Sequence, residues 1–399
     1  MLLAARTPPS LTTLILLTAM SVLSLNMFLP SLGNIASEFG VSYGVANLSI
    51  AGYLAVTAVL QIVMGPLSDR YGRRPVMLIG LAVFVLASIG CFFARDIFVF
   101  LTFRVMQGGV IGAMALSRAA VRDQYEEREA ASLLGYVSMA MAVAPMTGPL
   151  FGGIVDQWLG WRANFGFFAL AGTGLFLLAW FDLGETNHSR SETLGKQFRT
   201  YPELLGSRRF WGYSVCITFS LGAFYVYVTG AALVGAVVFG LSTAMIGVAV
   251  GGITLGFILG SFISGRLAGR YPLGVMVLAG RISAFAGLSI GIVLVWAGVV
   301  HPVSYVGCVM FVGLGNGLTM PAAGSGVMSV RPQLAGSAAG LSGAMSVAGG
   351  AGLTTLTGAV LTPENGALML LAIMLASVAV SGAAALYVRW LDMREPQRA

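Results

Sequence analysis

The stretch Gly65-Pro66-Leu67-Ser68-Asp69-Arg70-Tyr71-Gly72-Arg73-Arg74-Pro75 joins two long apolar runs. Its glycines permit a sharp reversal of the chain. Asp69, Arg70, Arg73 and Arg74 offer ion pairs that can form and break at a membrane surface. An anchoring loop would need the arginines, but neither the glycines nor Asp69. Two hundred positions later, Gly265-Arg266-Leu267-Ala268-Gly269-Arg270-Tyr271 repeats the pattern G-x-L-x-x-R-Y. The repeat falls half a chain length away, which points to duplication. Gly269 stands where the first copy has Asp69, so the charged gate is one-sided.

Working outward, apolar runs recur along all 399 residues. Of these residues 57% are apolar and 9% charged, and the mean hydropathy is +0.88. A soluble domain carries about 25% charge, and a disordered chain is poor in apolar residues. The arithmetic predicts an all-α membrane protein of twelve transmembrane helices in two six-helix pseudo-repeats. In a bilayer each helix must satisfy its own backbone, so long unalternating apolar runs are helices, not barrel strands. The runs lie near 11–33, 44–66, 76–94, 98–117, 133–155, 163–183, 211–233, 243–265, 273–297, 303–328, 335–361 and 366–389. The first is too long for a secretory signal and lacks an A-x-A cleavage pattern, so it is expected to stay in the mature chain. Residues 184–209 form the longest polar stretch and separate 1–183 from 210–399. Parallel repeats of this kind build transporters with a mid-membrane substrate site between the halves.

Lys and Arg set the orientation. Of the 22, eighteen fall on the side that carries both termini, Arg95 and Arg162 on the other, and Arg104 and Arg281 within runs. Both termini are therefore expected in the cytoplasm. The formal charge of +7 reflects topology, and no nucleic-acid partner is expected. Cys91, Cys216 and Cys308 lie in apolar runs without a C-x-x-C spacing, and His188 and His301 are far apart. No metal, cofactor or disulfide framework is expected. No nucleophile–base constellation appears, so the chain does not read as an enzyme.

Three further signals lie within the runs. Arg104, Gln107, Gly108 and Gly112 share a face of the fourth. An arginine inside a membrane is costly and usually functional, although a structural arginine bonded to carbonyls of the first run is a competing reading. In Pro145-Met146-Thr147-Gly148-Pro149-Leu150-Phe151-Gly152-Gly153, two prolines kink the fifth run and Gly148 and Gly152 form a close-packing face. The first run contains Leu25-Asn26-Met27-Phe28-Leu29-Pro30. The seventh contains Phe224-Tyr225-Val226-Tyr227.

These motifs resemble the major facilitator superfamily over nearly the whole chain, and within it the Bcr/CflA drug-resistance branch. The resemblance implies a bacterial inner-membrane exporter of drugs or other small lipophilic compounds. It would work by alternating access, as a monomer, in exchange for protons. It implies that Asp69 contacts the start of the eleventh span, that Arg73 pairs with Asp123, and that Arg104 serves proton transfer. The G-P-x-x-G-G order resembles the antiporter motif and favours export.

One position departs from the branch, which usually has aspartate where this chain has Asn26. None of the fifteen acids lies near the middle of a run, and Asp182 comes closest. A buried carboxylate suits proton coupling, because burial raises its pKa toward neutrality. Its loss, with Arg104 and Arg281 in the membrane, favours neutral or anionic cargo. The candidate cavity residues are Asn26, Tyr53, Gln61, Arg104, Gln107, Tyr136, Phe224, Tyr227, Arg281 and Asn316. Two further readings stand: an exporter or facilitator of an endogenous metabolite or organic anion without proton coupling, and a non-transporting sensor or scaffold.

Overall fold

A computed structural model describes residues 9–124, 147–186, 201–267, 270–331 and 334–394, which are helical nearly throughout. The chain divides into two compact units, Met1–Gln197 and Phe198–Ala399. The first contains α1 (Leu11–Asn26), α2 (Leu32–Phe39), α3 (Tyr43–Tyr71), α4 (Arg73–Phe93), α5 (Ile97–Gln107), α6 (Ile111–Gln124), α7 (147–159) and α8 (Arg162–Asp182). The second contains α9 (Tyr201–Leu205), α10 (Arg208–Leu233), α11 (Thr243–Leu267), α12 (Leu273–Trp296), α13 (Pro302–Ser329), α14 (Ala335–Val360) and α15 (Gly366–Arg394). Among the described residues, nine helices are long and apolar enough to cross a membrane.

Two expected continuous spans are broken. The first apolar run does not end near 33. It passes through a 3-10 turn at Leu29–Ser31 and continues as α2 to Phe39. Pro30 explains the break, since it has no N–H to donate to the helix. The fourth run breaks at Gly108–Val110, between α5 and α6. The expected 65–75 loop is shorter than the sequence suggested. Helix α3 runs through to Tyr71 and α4 starts at Arg73, leaving Gly72 alone at φ +99°. An L side chain is strained at that angle. A carboxylate completes the turn: Glu185 accepts from the backbone N–H groups of Arg73 at 2.8 Å and Arg74 at 3.3 Å. These are orphan donors of the first turn of α4, where negative charge is also favoured by the helix dipole.

Asp182 has a fastening role. Its Oδ2 accepts from Ser10 N at 2.9 Å, Ser10 Oγ at 2.8 Å and Thr13 Oγ1 at 2.6 Å, joining the end of α8 to the start of α1. Glu38 of α2 binds the Arg162 side chain and accepts from Trp161 Nε1 at 2.6 Å. Rings of Phe28, Phe39, Phe100, Trp161, Phe165 and Phe168 pack in one cluster beside it.

Main chain lies against main chain at the glycines. Gly152 of α7 sits on the Met27 carbonyl at the break after α1, and Gly148 faces Leu23 and Asn26. In the second unit α13 is wedged between α11 and α12. Gly313 and Gly317 lie on the backbone of Ile253 and Phe257, Gly256 and Gly260 on that of Met310 and Leu314, and Gly280 against Gly315. Such small residues let membrane helices approach closely.

Gly152→Ala drives a methyl into the Met27 carbonyl oxygen, whereas Gly174→Ala meets nothing within 4 Å. Overpacking of this kind costs about 1–3 kcal/mol. Thermal unfolding of the purified protein should show a clear fall in Tm for the first variant and none for the second. Equal melting of the two would mean that α7 does not seat on α1.

Candidate functional site

Among the described residues, five of the ten cavity candidates fall in two separate polar clusters: Tyr53, Arg104 and Gln107 in the first unit, Arg281 and Asn316 in the second. In the first, Arg104 is fully buried on α5, with 0% exposure. Its Nη1 donates to Gln107 Oε1 at 2.6 Å, three residues on, and its Nη2 to the Ser24 carbonyl of α1 at 2.8 Å. Gln107 Nε2 donates to Ser88 Oγ of α4 at 2.7 Å. The guanidinium lies over two rings, Phe28 at 4.2 Å and Tyr53 at 4.3 Å. Tyr53 Oη is 2.6 Å from Ser24 Oγ. Four helices thus converge on one cation, and it is held by neutral dipoles and ring faces. Cation–π contact contributes up to about 2 kcal/mol when desolvated. The bond to the Ser24 carbonyl is the structural contact weighed in the sequence reading, and the rings add to it.

In the second unit Arg281 of α12 is 2% exposed. Its Nε donates to Thr319 Oγ1 at 3.0 Å and its Nη2 to Asn316 Oδ1 at 2.8 Å, both on α13. Asn316 Nδ2 donates to the Ser220 carbonyl of α10 at 3.0 Å. The side chain is therefore held within the unit and does not snorkel to a membrane surface.

Elsewhere, Asn26 is buried and its Nδ2 donates to the Val22 carbonyl at 2.8 Å, one turn back. Tyr227 Oη donates to the Ala249 carbonyl of α11 at 2.9 Å. Gln61 and Phe224 are half-buried, and the Phe224 ring lies 5.7 Å from that of Tyr225. Tyr136 and Pro145 lie outside the described residues, as do the side chains of Asp69 and Asp123, and Gly65 lies within α3. Pro149 lies in the first turn of α7. At the turn, Arg70 is exposed over the Tyr71 ring at 5.3 Å, and Arg73 Nη1 donates to Ser68 Oγ at 2.9 Å. Arg74 donates to the carbonyls of Leu183 at 2.7 Å and Trp180 at 3.0 Å, clamping α4 to α8.

Sequence reading did not pick out Ser24, Ser88, Phe28, Ser220 or Thr319 as site residues. Only Thr319 carried a signal, since it follows Asn316 by three and so shares its helical face. The clusters hold no nucleophile–base pair, and no metal-binding group of three or more His, Cys, Asp or Glu occurs among the described residues.

Arg104→Lys keeps the charge but loses the planar fork that reaches Ser24 and Gln107 while covering two rings. Its Tm should fall by several degrees. Tyr53→Phe keeps the ring face and loses only a hydroxyl, at a cost of about 1 kcal/mol. A larger loss from Tyr53→Phe than from Arg104→Lys would place the stability in the hydroxyl chain instead.

Comparison with known proteins joins these features to a family. The Major Facilitator Superfamily profile matches residues 14–354. The chain is 34% identical over 207 residues to the chloramphenicol resistance protein of Pseudomonas aeruginosa, covering 51% of this chain and 49% of that protein. It thus spans about half the length of that relative. Multidrug resistance protein D of Escherichia coli (strain K12) is 28% identical over 359 residues, 88% of this chain and 89% of that one. Among solved structures, an inward-facing bacterial homologue of the human lysosomal transporter Spinster superposes with a TM-score of 0.73. It is 17% identical and covers 96% of both chains. That likeness supports the fold. With the profile spanning most of its length, the chain belongs to the Major Facilitator Superfamily.

Proposed function

We propose that the protein exports drugs or other small lipophilic compounds across a bacterial inner membrane by alternating access, in exchange for protons. The observation that carries this reading is the seat of Gly148 and Gly152 on the break in the first span, beside buried Asn26. That is the antiporter-type motif packed against the segment that resembles the drug-resistance branch. The names of the relatives, a chloramphenicol resistance protein and a multidrug resistance protein, point the same way. The halves are taken as 1–183 and 210–399, joined by 184–209 in the cytoplasm, with both termini on that side. Protons, the transported compound and the lipid bilayer are the partners, and the working form is a monomer. The turn at 65–75 acts as the gate, with Asp69, Arg73 and Asp123 as its switchable charges.

A second reading, an organic-anion or metabolite exporter without proton coupling, has its own support. Asn26 replaces an acid, and among the described residues the hydrogen bonds of Arg104 and Arg281 all run to neutral acceptors. An amide cannot take up a proton near neutral pH.

Proteoliposomes with an imposed pH gradient separate the two. Chloramphenicol movement that a protonophore abolishes supports antiport, and movement that ignores the protonophore supports the second reading. Arg104→Ala should abolish flux while the protein stays folded, and unchanged flux would make Arg104 structural only. Asn26→Asp should strengthen the dependence of transport on pH, and an unchanged pH profile would remove position 26 from the coupling path.

A further inference from the structure

The two buried arginines are held differently. Arg104 rests between two ring faces as well as two hydrogen bonds. Arg281 has no such rings among the described residues, and its partners there are one amide oxygen and one hydroxyl. Among the described residues each arginine keeps one buried nitrogen without a hydrogen-bond partner, Nε of Arg104 and Nη1 of Arg281; Nη1, unlike Nε, carries two N–H donors. An N–H group buried in this way keeps its full desolvation cost unless an acceptor arrives.

The acceptors already present are fixed by bonds of their own. Thr319 Oγ1 donates to the Val277 carbonyl at 3.3 Å, and Asn316 Nδ2 to the Ser220 carbonyl at 3.0 Å. Behind them, Ser220 Oγ lies 2.8 Å from Ser381 Oγ, which in turn lies 2.8 Å from the Cys216 carbonyl. The guanidinium is therefore oriented in advance, with one edge committed to α13 and Nη1 left over. Planar oxygen pairs suit such a fork, because a guanidinium binds carboxylates in two-point geometry. We propose that Arg281, positioned by Asn316 and Thr319, is an anion-selecting site that binds the carboxylate of transported organic acids. This rests on the export reading and deepens it by naming a cargo class. Positive charge at this point also disfavours cationic compounds.

Binding to the purified full-length protein tests the site, with salicylate as the organic acid and chloramphenicol as the uncharged reference. The readout is the ratio of the two affinities, taken by calorimetry in chloride and again with chloride replaced by isethionate. Arg281→Gln should lower the salicylate-to-chloramphenicol ratio at least tenfold, and Arg281→Lys should restore part of it. Should Arg281→Gln fail to fold, Asn316→Asp gives the same test with the arginine intact. It supplies an internal carboxylate at the loss of the bond to the Ser220 carbonyl, so the ratio should fall. An unchanged ratio in these variants, or no salicylate binding by the wild type, overturns the proposal. So does an Arg281-dependent rise in Tm with chloride in the absence of selective salicylate binding, since the site would then serve an inorganic ion. Flux in proteoliposomes separates the two levels. Arg281-dependent binding without any transport leaves the site standing and removes the export reading. Chloramphenicol export without salicylate binding does the reverse.

Discussion

Apolar side chains gain nothing by leaving lipid for one another, so the helices of this chain must be held by close contact and by hydrogen bonds between them. Close contact requires the absence of side chains at the crossing points. Gly152 against the Met27 carbonyl, and Gly313 and Gly317 against Ile253 and Phe257, bring backbones to van der Waals distance. These crossings place α13 where Asn316 and Thr319 reach Arg281, and they set α7 beside Asn26. The polar clusters therefore depend on the glycine seams. A shift of one helix by a methyl's width would pull a guanidinium from acceptors 2.8–3.0 Å away.

The two units solve one electrostatic problem with different residues. Each ties together a helix that carries an arginine and one that offers a backbone carbonyl, Ser24 in the first and Ser220 in the second. In the first unit the arginine reaches that carbonyl itself and passes its other edge to Gln107 on the same helix. In the second, Asn316 reaches the carbonyl and the arginine comes from α12. A buried cation is tolerated when its donors meet acceptors and its charge meets polarisable faces. Among the described residues each unit supplies acceptors for only part of its fork, and the first adds the ring faces of Phe28 and Tyr53.

Most of the architecture was readable because membrane spans are long, continuous and apolar. Arg104 and Arg281 stood out by the same logic, since charge in an apolar run is rare. What escaped depends on three dimensions. Helix α3 continues through Asp69 and Arg70 to Tyr71, although polar residues there look like a loop; once the helix is under way, its backbone bonds hold the extra turn. The break at Leu29–Ser31 was hinted at by Pro30, but Phe28 over Arg104 was not, because nothing in spacing tells which aromatic meets which cation. Asp182 was weighed as the acid nearest the membrane interior, and the structure gives it Ser10 and Thr13, far away in sequence. Glycines 256, 260, 313 and 317 were visible as small residues, yet their pairing became clear only with α11 and α13 side by side.

The single residue between α3 and α4 has a mechanical meaning. Helix α3 has 29 residues, so it is a rod of about 43 Å at 1.5 Å per residue. With only Gly72 outside helical geometry, any change of angle between the two rods is concentrated in one pair of dihedrals. A rotation of roughly 10° there sweeps the far tip of α3 through about 7 Å, on the same helical rise. Glu185 grips the base of the opposing rod through its first amides, so the pivot is also where the segment after α8 can act with the greatest leverage.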